Sequence, residues 1–265
     1  MGARLLGMRQ VAKPWGRSVL PAPFINDGRE PVGEIWFADE GAEQLPLLAK
    51  YLFTSDKLSV QVHPNDAQAQ ARRLTSGKEE CWLVLDADLD AVLGIGTRRP
   101  LSGDELRAAS LDGSIEALMD WKPVARGDFF YIPAGTVHAI GAGVSLIEVQ
   151  QHADITYRLY DYGRPRELHL DDGVAVADAR PYIDARACHV DFAEERMLVD
   201  GPIFRVMLGG DQCNLTGSGA SLILPLTGRA FAGGTSAGAG DCLAVDAGTA
   251  WHAEPDARLL IARIV

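Results

Sequence analysis

The pattern of apolar and polar positions predicts short strands along most of the chain. Residues 58–63 read Leu-Ser-Val-Gln-Val-His, a strict alternation, which predicts a strand whose side chains point alternately to opposite faces. One face carries apolar side chains, and the other carries Ser59, Gln61 and His63. Burying such a polar row is costly unless something satisfies it. The strand is therefore either exposed on this face or forms one wall of a cavity that holds a metal ion and a polar substrate.

Short helices are predicted between some of the strands. Asn65 or Asp66 can cap a helix over the following AQAQARRL, and Ser102 with Glu105 forms a capping box at the start of a second helix. The stretch at 41–53, GAEQLPLLAKYLF, is interpreted as a short helix that runs into the strand after it.

Further strands are predicted over residues 77–85 and over VSLIEVQQ and ITYRLYDYG, and residues 127–138 form a strand, a Pro/Gly turn and the start of a second strand. Many short strands with turn signals between them are typical of an all-β barrel or sandwich. The fold class is therefore all-β with a few short helices.

The pattern changes near residue 167, where a short helix and a linker precede short strands rich in glycine. These strands resemble the strand-turn-strand pattern of residues 127–150 in a weaker form, which indicates a degenerate internal repeat. We expect a first domain at 1–170 that carries the chemistry, with helical insertions. A second, smaller β domain without a metal site is expected at 171–265.

Amino-acid composition and net charge limit which kinds of molecule the protein can bind. The chain has 265 residues, 47% of them hydrophobic, and a net charge of -11, so it can bury a large core but repels nucleic acid and anionic membranes. An anionic small substrate would need a local cluster of Arg and Lys. The N-terminus lacks the apolar core of a signal peptide, no apolar run reaches transmembrane length, and the four cysteines form no CxxC pair. We therefore expect a cytoplasmic protein with reduced thiols and no membrane contact.

The segment from Gly127 to His138 fits G-x5-P-x-G-x2-H, the second motif of the cupin (jelly-roll) barrels. The first cupin motif supplies two closely spaced ligands and then a glutamate, which here match Gln61, His63 and, after a long insertion, Glu80. Together with these residues, LSVQVHPND, GKEECWLVLDAD, IPAGTVHAI and TYRLYDYGR resemble the type I phosphomannose isomerases over roughly residues 10–175. The resemblance implies a cupin barrel followed by a smaller, degenerate cupin-like β domain.

The resemblance also implies one zinc ion per chain and an aldose-ketose isomerisation between mannose 6-phosphate and fructose 6-phosphate through an enediol. The implied zinc ligands are Gln61, His63, Glu80 and His138. Imidazole and carboxylate are standard zinc donors, and the same set would accept cobalt, nickel or manganese.

Two cationic residues are predicted to act in catalysis. Lys78 lies two residues before Glu80, so both share a strand face, and the Lys78 ammonium can stabilise enediolate oxygens together with zinc. Arg158 matches the arginine that the family places in its active site, to stabilise developing charge or hold sugar oxygens. The alternative for Arg158 is a surface ion pair with Asp154 or Asp161.

Glu148 lies among apolar residues, where desolvation would raise its pKa and suit it to act as the base that shuttles the proton. The alternative is a structural carboxylate paired with Arg158. For the substrate phosphate, Arg164 falls where the family carries a basic residue, Ser59 can donate a hydroxyl hydrogen bond, and Arg166 is an alternative to Arg164.

Two other histidines are weaker candidates for a role in the site. His169 is conceivable as a proton carrier, although a structural role is favoured, and His252 has no Glu or His at ligand spacing. Familiar family members are longer than this chain, so two further functions stay open. One is an isomerase or epimerase acting on another sugar or sugar phosphate, and the other is a non-catalytic cupin that senses sugar or metal.

Overall fold

The computed structural model describes residues 2–26, 28–38, 44–211, 213, 215 and 219–265. Within these residues the chain forms 21 strands and four short helices, and all strand pairs are antiparallel. The predicted fold class, all-β with a few short helices, is confirmed.

Seven strands form the largest sheet. They are Gly7–Arg17 (β2), Val32–Ala38 (β3), Leu47–Phe53 (β4), Glu80–Ala87 (β6), Asp128–Ile132 (β9), Val144–Gln151 (β11) and Cys188–His189 (β13). Their order across the sheet is β13-β9-β6-β11-β4-β3-β2.

A five-stranded sheet faces the first. Its strands are Val60–Val62 (β5), Val92–Thr97 (β7), Met119–Pro123 (β8), His138–Ile140 (β10) and Tyr157–Tyr160 (β12), in the order β12-β5-β10-β7-β8. The space between the two sheets is filled at one end by an apolar cluster that includes Leu52, Trp82, Leu93 and Ile140. Polar side chains occupy the other end.

Helices cover the outer face of the five-stranded sheet. The four helices are Asp66–Ala71 (α1), Gly103–Asp112 (α2), Ile115–Leu118 (α3) and Leu170–Val176 (α4). Residues of α2, α3 and α4 pack with Val60 and Val62 of β5. The capping box predicted at Ser102 is present. Of the two candidate caps for α1, Asn65 caps the helix, and it does so in a capping box with Gln68. In the part of the chain that is described, the longest helix has 10 residues, and none is long and apolar enough to cross a membrane.

A six-stranded sheet packs behind the seven-stranded one, and a three-stranded sheet packs against the six-stranded sheet. The six-stranded sheet contains Ala3–Leu5 (β1), Arg196–Asp200 (β14), Phe204–Gly209 (β15), Ser221–Thr227 (β16), Leu243–Val245 (β19) and Arg258–Ile264 (β21), in the order β1-β19-β16-β21-β15-β14. The three-stranded sheet contains Arg229–Ala232 (β17), Thr235–Gly238 (β18) and Trp251–Ala253 (β20), in the order β18-β17-β20.

Alternation along β4 shows which face of the seven-stranded sheet carries apolar side chains and which carries charged ones. Tyr51 and Phe53 belong to the apolar cluster between the seven- and six-stranded sheets, whereas Leu52 faces the five-stranded sheet. Lys50 shares the inner face with Leu52 because side chains two apart point the same way. The seven-stranded sheet is thus apolar on its outer face and carries charged groups on part of its inner face.

The interpretation of residues 41–53 as a helix is wrong where it can be judged. Residues 41–43 lie outside the described part, 44–46 are not helical, and Leu47–Phe53 is a strand buried at every position. A strand covered on both faces is a continuous apolar run, which periodicity alone does not distinguish from a buried helix. The strand expected at 58–63 is also shorter, and Leu58 packs into the interior cluster away from Val60.

The division at residues 170 and 171 stays a prediction. Strands on both sides of it mix, since β1 pairs with β19 in the six-stranded sheet and β13 pairs with β9 in the seven-stranded sheet.

Candidate metal centre

The four predicted metal ligands converge between the two facing sheets. Gln61 and His138 are directly opposite each other on paired strands β5 and β10, and Glu80 begins β6 in the other sheet. His63 follows β5. One ligand atom each from His63, Glu80 and His138 lies within 4.8 Å of the others, so residues from three separate motifs meet at one point.

The distances suit a small metal ion. Glu80 Oε1 lies 3.4 Å from His138 Nε2, and Glu80 Oε2 lies 3.6 Å from His63 Nε2. Donors about 2.0–2.1 Å from a tetrahedral zinc ion would be roughly 3.3 Å apart. The Gln61 Nε2 atom lies 3.2 Å from His138 Nε2, and a 180° rotation of the amide would turn its oxygen toward the same point.

Both imidazoles are prepared as neutral ligands. Burial lowers the pKa of His138 to about 4, and burial together with the charge of Lys78 lowers the pKa of His63 well below its usual value. His138 Nδ1 lies 2.9 Å from the Thr136 carbonyl oxygen and donates to it in the neutral tautomer. The Nε2 lone pair then faces Glu80 and is available to a metal.

The Glu80 carboxylate is fully buried, and its Oε1 has no hydrogen-bond donor among the described residues. Burial and the nearby Glu148 raise the pKa of Glu80 to about 7, although Lys78 Nζ lies 2.8 Å from Oε2. A buried carboxylate is costly without compensation. Two neutral imidazoles, each with a ring nitrogen 3.4–3.6 Å from an oxygen of this buried carboxylate, fit a divalent metal ion.

Glu148 lies beside the ligand cluster, but its environment differs from the predicted one. Burial works to raise its pKa, yet the ammonium groups of Lys78 and Lys50 outweigh burial and lower the pKa of Glu148 to about 2. Lys50 Nζ donates to Oε1 at 3.1 Å, and Trp82 Nε1 donates to Oε2 at 3.1 Å. The prediction of a raised pKa for Glu148 is therefore wrong. The carboxylate lies near Lys50 and Lys78, and not, as the alternative had it, in an ion pair with Arg158.

Lys78 connects the carboxylates. Its ammonium is buried 2.8 Å from Glu80 and 3.8 Å from Glu148. Burial disfavours the charge, but the two carboxylates reverse this and raise the pKa of Lys78 above its ordinary value. Lys78 is therefore a fixed positive charge beside the predicted metal ligands.

The arginines of the TYRLYDYGR region have different partners. Arg166 forms a two-pronged ion pair with Asp161 at 2.6 Å, and Arg164 donates to the Lys57 carbonyl oxygen at 2.6 Å. Arg158 Nη1 donates to the Glu167 carbonyl oxygen at 2.7 Å, while its Nε has no hydrogen-bond partner. Burial and the charge of Arg166 lower the pKa of Arg158. The ion pairs weighed for Arg158 do not form among the described residues.

A cleft of about 160 Å³ lies next to the predicted metal ligands. It is lined by several predicted residues, which are Ser59, Gln61, Lys78, Glu148 and Arg158, and also by Arg166. Arg164 lies outside this lining.

Several residues of the cleft wall were not predicted from the sequence, among them Lys13, Glu34, Trp36 and Lys50. Lys50 lies 4.6 Å from the Trp36 ring centroid as well as against Glu148. A detectable signal was present, since Lys50 is the one charged residue in the apolar run Leu47–Phe53. A lysine buried in a strand needs a partner and so marks a polar site.

His169 and His252 have structural surroundings. His169 Nδ1 accepts a hydrogen bond from the Arg158 backbone at 3.1 Å, in agreement with the favoured structural role. His252 is exposed and stacks on Phe231 with ring centroids 5.1 Å apart.

Two facing antiparallel sheets around a cluster of histidine and carboxylate define a cupin. Residues 26–82 match the family described as phosphomannose isomerase type I, catalytic domain. The chain is 39% identical to the mannose-6-phosphate isomerase of Streptococcus mutans over 178 residues, which are 64% of this chain and 56% of that protein. It is 36% identical to the Bacillus subtilis enzyme ManA over 203 residues, 71% of this chain and 63% of that protein. The chain is therefore related to the type I phosphomannose isomerases.

Solved structures agree with the fold. The crystal structure of the Bacillus subtilis mannose 6-phosphate isomerase superposes with a TM-score of 0.79 at 24% identity, covering 100% of both chains. A mannose 6-phosphate isomerase described as holo and zinc bound superposes with a TM-score of 0.69 at 15% identity, covering 99% of both chains. The cupin fold expected from the motifs is confirmed, while the matched region spans only 56–63% of the two curated relatives.

Proposed function

We propose that the protein is a zinc-dependent isomerase that interconverts mannose 6-phosphate and fructose 6-phosphate. The observation that carries the proposal is the convergence of Gln61, His63, Glu80 and His138 at one point. Lys78 lies 2.8 Å from Glu80, and Gln61, Lys78 and Arg158 line the adjoining cleft. Sequence relatives that bear this name, and a solved structure described as zinc bound, support the same activity.

The reaction transfers one proton from C2 to C1 and one from O2 to O1, with no net oxidation or reduction of the substrate. A base removes the proton from C2 of the open-chain aldose while O1 gains a proton, which gives an enediol. Return of a proton to C1, with loss of the proton from O2, gives the ketose. Zinc, when bound, supplies positive charge near the substrate oxygens.

The chain's own residues would divide the remaining work. Lys78 is held as a cation by Glu80 and Glu148, so it can stabilise negative charge on O1 or O2. Arg158, with its unpartnered Nε, can hold sugar oxygens or developing charge. We retain Glu148 as the proposed base because its low pKa keeps it ionised at neutral pH, with Lys50 and Trp82 fixing its orientation.

The proposed activity is tested with purified protein, stripped of metal and then reloaded with zinc. In a coupled assay, the zinc form should convert mannose 6-phosphate to fructose 6-phosphate, and the stripped form should lose at least about 100-fold in rate. Glucose 6-phosphate, unphosphorylated mannose and other sugar phosphates complete the panel. If the protein turns over only another sugar, then that sugar is the substrate and the proposed one is wrong. Binding of a sugar without turnover would indicate a sensor.

The phosphate ligand is tested by comparing two arginines. Arg166 lines the cleft, whereas Arg164 does not, so we expect Arg166→Ala to raise KM for mannose 6-phosphate about tenfold or more, in line with the loss of a charged hydrogen bond. Arg164→Ala should raise it less, although both arginines pair with Asp161. A larger KM effect for Arg164→Ala would instead indicate that Arg164, with Ser59, binds the phosphate.

A further inference from the structure

Two chain segments that carry the site are joined by one carboxylate. The first follows His63, and the second contains Lys78 and Glu80. Asp66 Oδ1, in the first segment, accepts hydrogen bonds from the Gly77 backbone N–H at 2.7 Å and from the Gln151 side-chain amide at 3.0 Å. Asp66 therefore binds the start of the second segment and the end of β11 at once.

Gln151 holds the peptide between Lys78 and Glu80 from both sides. Its Oε1 accepts from the Glu79 backbone N–H at 2.9 Å, and its own backbone N–H donates to the Glu79 carbonyl oxygen at 3.0 Å. Gln151 is buried, so these hydrogen bonds are shielded from water. Glu79 lies directly between the lysine and the metal-ligand glutamate, so its backbone position sets both.

The approach of the two segments is close. The Lys78 backbone N–H donates to the Pro64 carbonyl oxygen at 3.0 Å. A Cβ atom added at Gly77 would lie only 2.5 Å from the Asn65 carbonyl carbon, so only glycine fits between the segments. The spacing between His63 and Glu80 thus depends on backbone contacts as well as on the side chains themselves.

We propose that Asp66 and Gln151 are positioning residues that set the distance between His63 and the pair Lys78 and Glu80. The inference deepens the proposed function and rests on it, since it assumes that these groups hold a metal. Supporting groups of this kind fix ligand geometry before the metal binds, and their loss typically weakens metal affinity by about 10–100-fold.

The test compares Asp66→Ala with Asp66→Asn. The asparagine keeps an oxygen that can accept both hydrogen bonds, whereas the alanine removes it. Asp104→Ala is the matched control, because Asp104 is also an acidic residue in the first turn of a helix, α2, and lies outside the site. Metal affinity is read from titration with Co²⁺ followed by its visible absorption, and the unfolding temperature is measured in parallel.

For Asp66→Ala we expect a Co²⁺ dissociation constant about 10–100-fold higher than that of the unaltered protein. Asp66→Asn and Asp104→Ala should stay within about threefold of the unaltered protein, because neither loses the joining hydrogen bonds. Equal affinity in Asp66→Ala, or an equal loss in Asp66→Asn, would overturn the positioning role.

Gln151→Glu provides a second variant if Asp66→Ala does not fold. It retains an acceptor for Glu79 but places a carboxylate against Asp66, so Co²⁺ affinity should again fall about tenfold or more. Unchanged affinity here would also contradict the inference. Failure of the unaltered protein to bind Co²⁺ would remove the metal site and the positioning role together, whereas Co²⁺ binding without isomerase activity would leave the positioning role intact.

Discussion

Replacing His138 by alanine should abolish metal retention and lower isomerase activity by at least about 1,000-fold. The imidazole is fully buried, contributes one of the three clustered ligand atoms and has its lone pair directed by the Thr136 carbonyl. Removing it leaves Glu80 and His63 without a third strong donor, and structural metal affinity falls steeply with ligand number. Metal content by mass spectrometry after dialysis, together with the coupled assay, measures both effects.

His252→Ala is the matched control for that experiment. His252 is exposed and belongs to the three-stranded sheet, so its loss should change neither metal content nor rate. Full activity of the His138→Ala protein would remove the metal-site interpretation. A parallel loss in both variants would point instead to a general effect of losing a histidine.

Lys50→Met should destabilise the protein by about 3–5 kcal/mol at neutral pH, which is the usual cost of removing one partner from a buried ion pair. The Lys50 and Glu148 side chains are only 8% and 5% exposed, so water does not screen them. Methionine keeps the aliphatic length but leaves Glu148 with a more distant cation, Lys78, at 3.8 Å. Urea unfolding of the metal-free protein measures the free energy of unfolding directly.

The effect should depend on pH in a defined direction. The folded pKa of Glu148 is lowered to about 2 from an ordinary 4.5, so its favourable contribution is present above about pH 4.5 and is lost as pH falls toward 2. Without Lys50 the folded pKa of Glu148 rises toward 4.5, so its favourable contribution is smaller above pH 4.5 and is lost over a narrower pH range. The difference between the two proteins should therefore shrink below about pH 4.

Lys57→Met is the control for burial. Lys57 pairs with Glu116, but these side chains are 40% and 36% exposed, and exposed pairs contribute about 0–1 kcal/mol. If the two lysine variants are destabilised equally, then burial does not make the Lys50–Glu148 pair contribute more to stability than an exposed pair.

Motif spacing predicted much of the site because the cupin pattern fixes which residues face inward. Gln61 and His138 are far apart in sequence, yet their strands pair with these two residues in register, and Glu80 meets them from the opposite sheet. Helix capping at Asn65 and Ser102 was predictable because it depends on residues adjacent in sequence. Local chemistry and motif offsets were sufficient for these elements.

The environment of Glu148 could not be predicted from the sequence. Its neighbours looked apolar along the chain, so burial alone indicated a raised pKa. The register of β11 with β4 places Lys50 opposite Glu148, and that pairing reverses the direction of the shift. Since residues 41–53 were interpreted as a helix, the lysine was not available as a cross-strand partner. A single error in secondary structure therefore became an error in the electrostatics of the site.

The most direct test of the proposed function follows the C1 carbon of the substrate. Mannose 6-phosphate labelled with ¹³C at C1 is mixed with zinc-loaded protein, with metal-stripped protein and with His138→Ala, and ¹³C NMR spectra are recorded over time. With the zinc-loaded protein alone, the signal of the labelled carbon should shift from the anomeric region to the hydroxymethyl region, because C1 becomes the hydroxymethyl carbon of fructose 6-phosphate. No movement with zinc-loaded protein, movement to a different anomeric signal, or equal turnover after metal removal would contradict a zinc-dependent aldose-ketose isomerase.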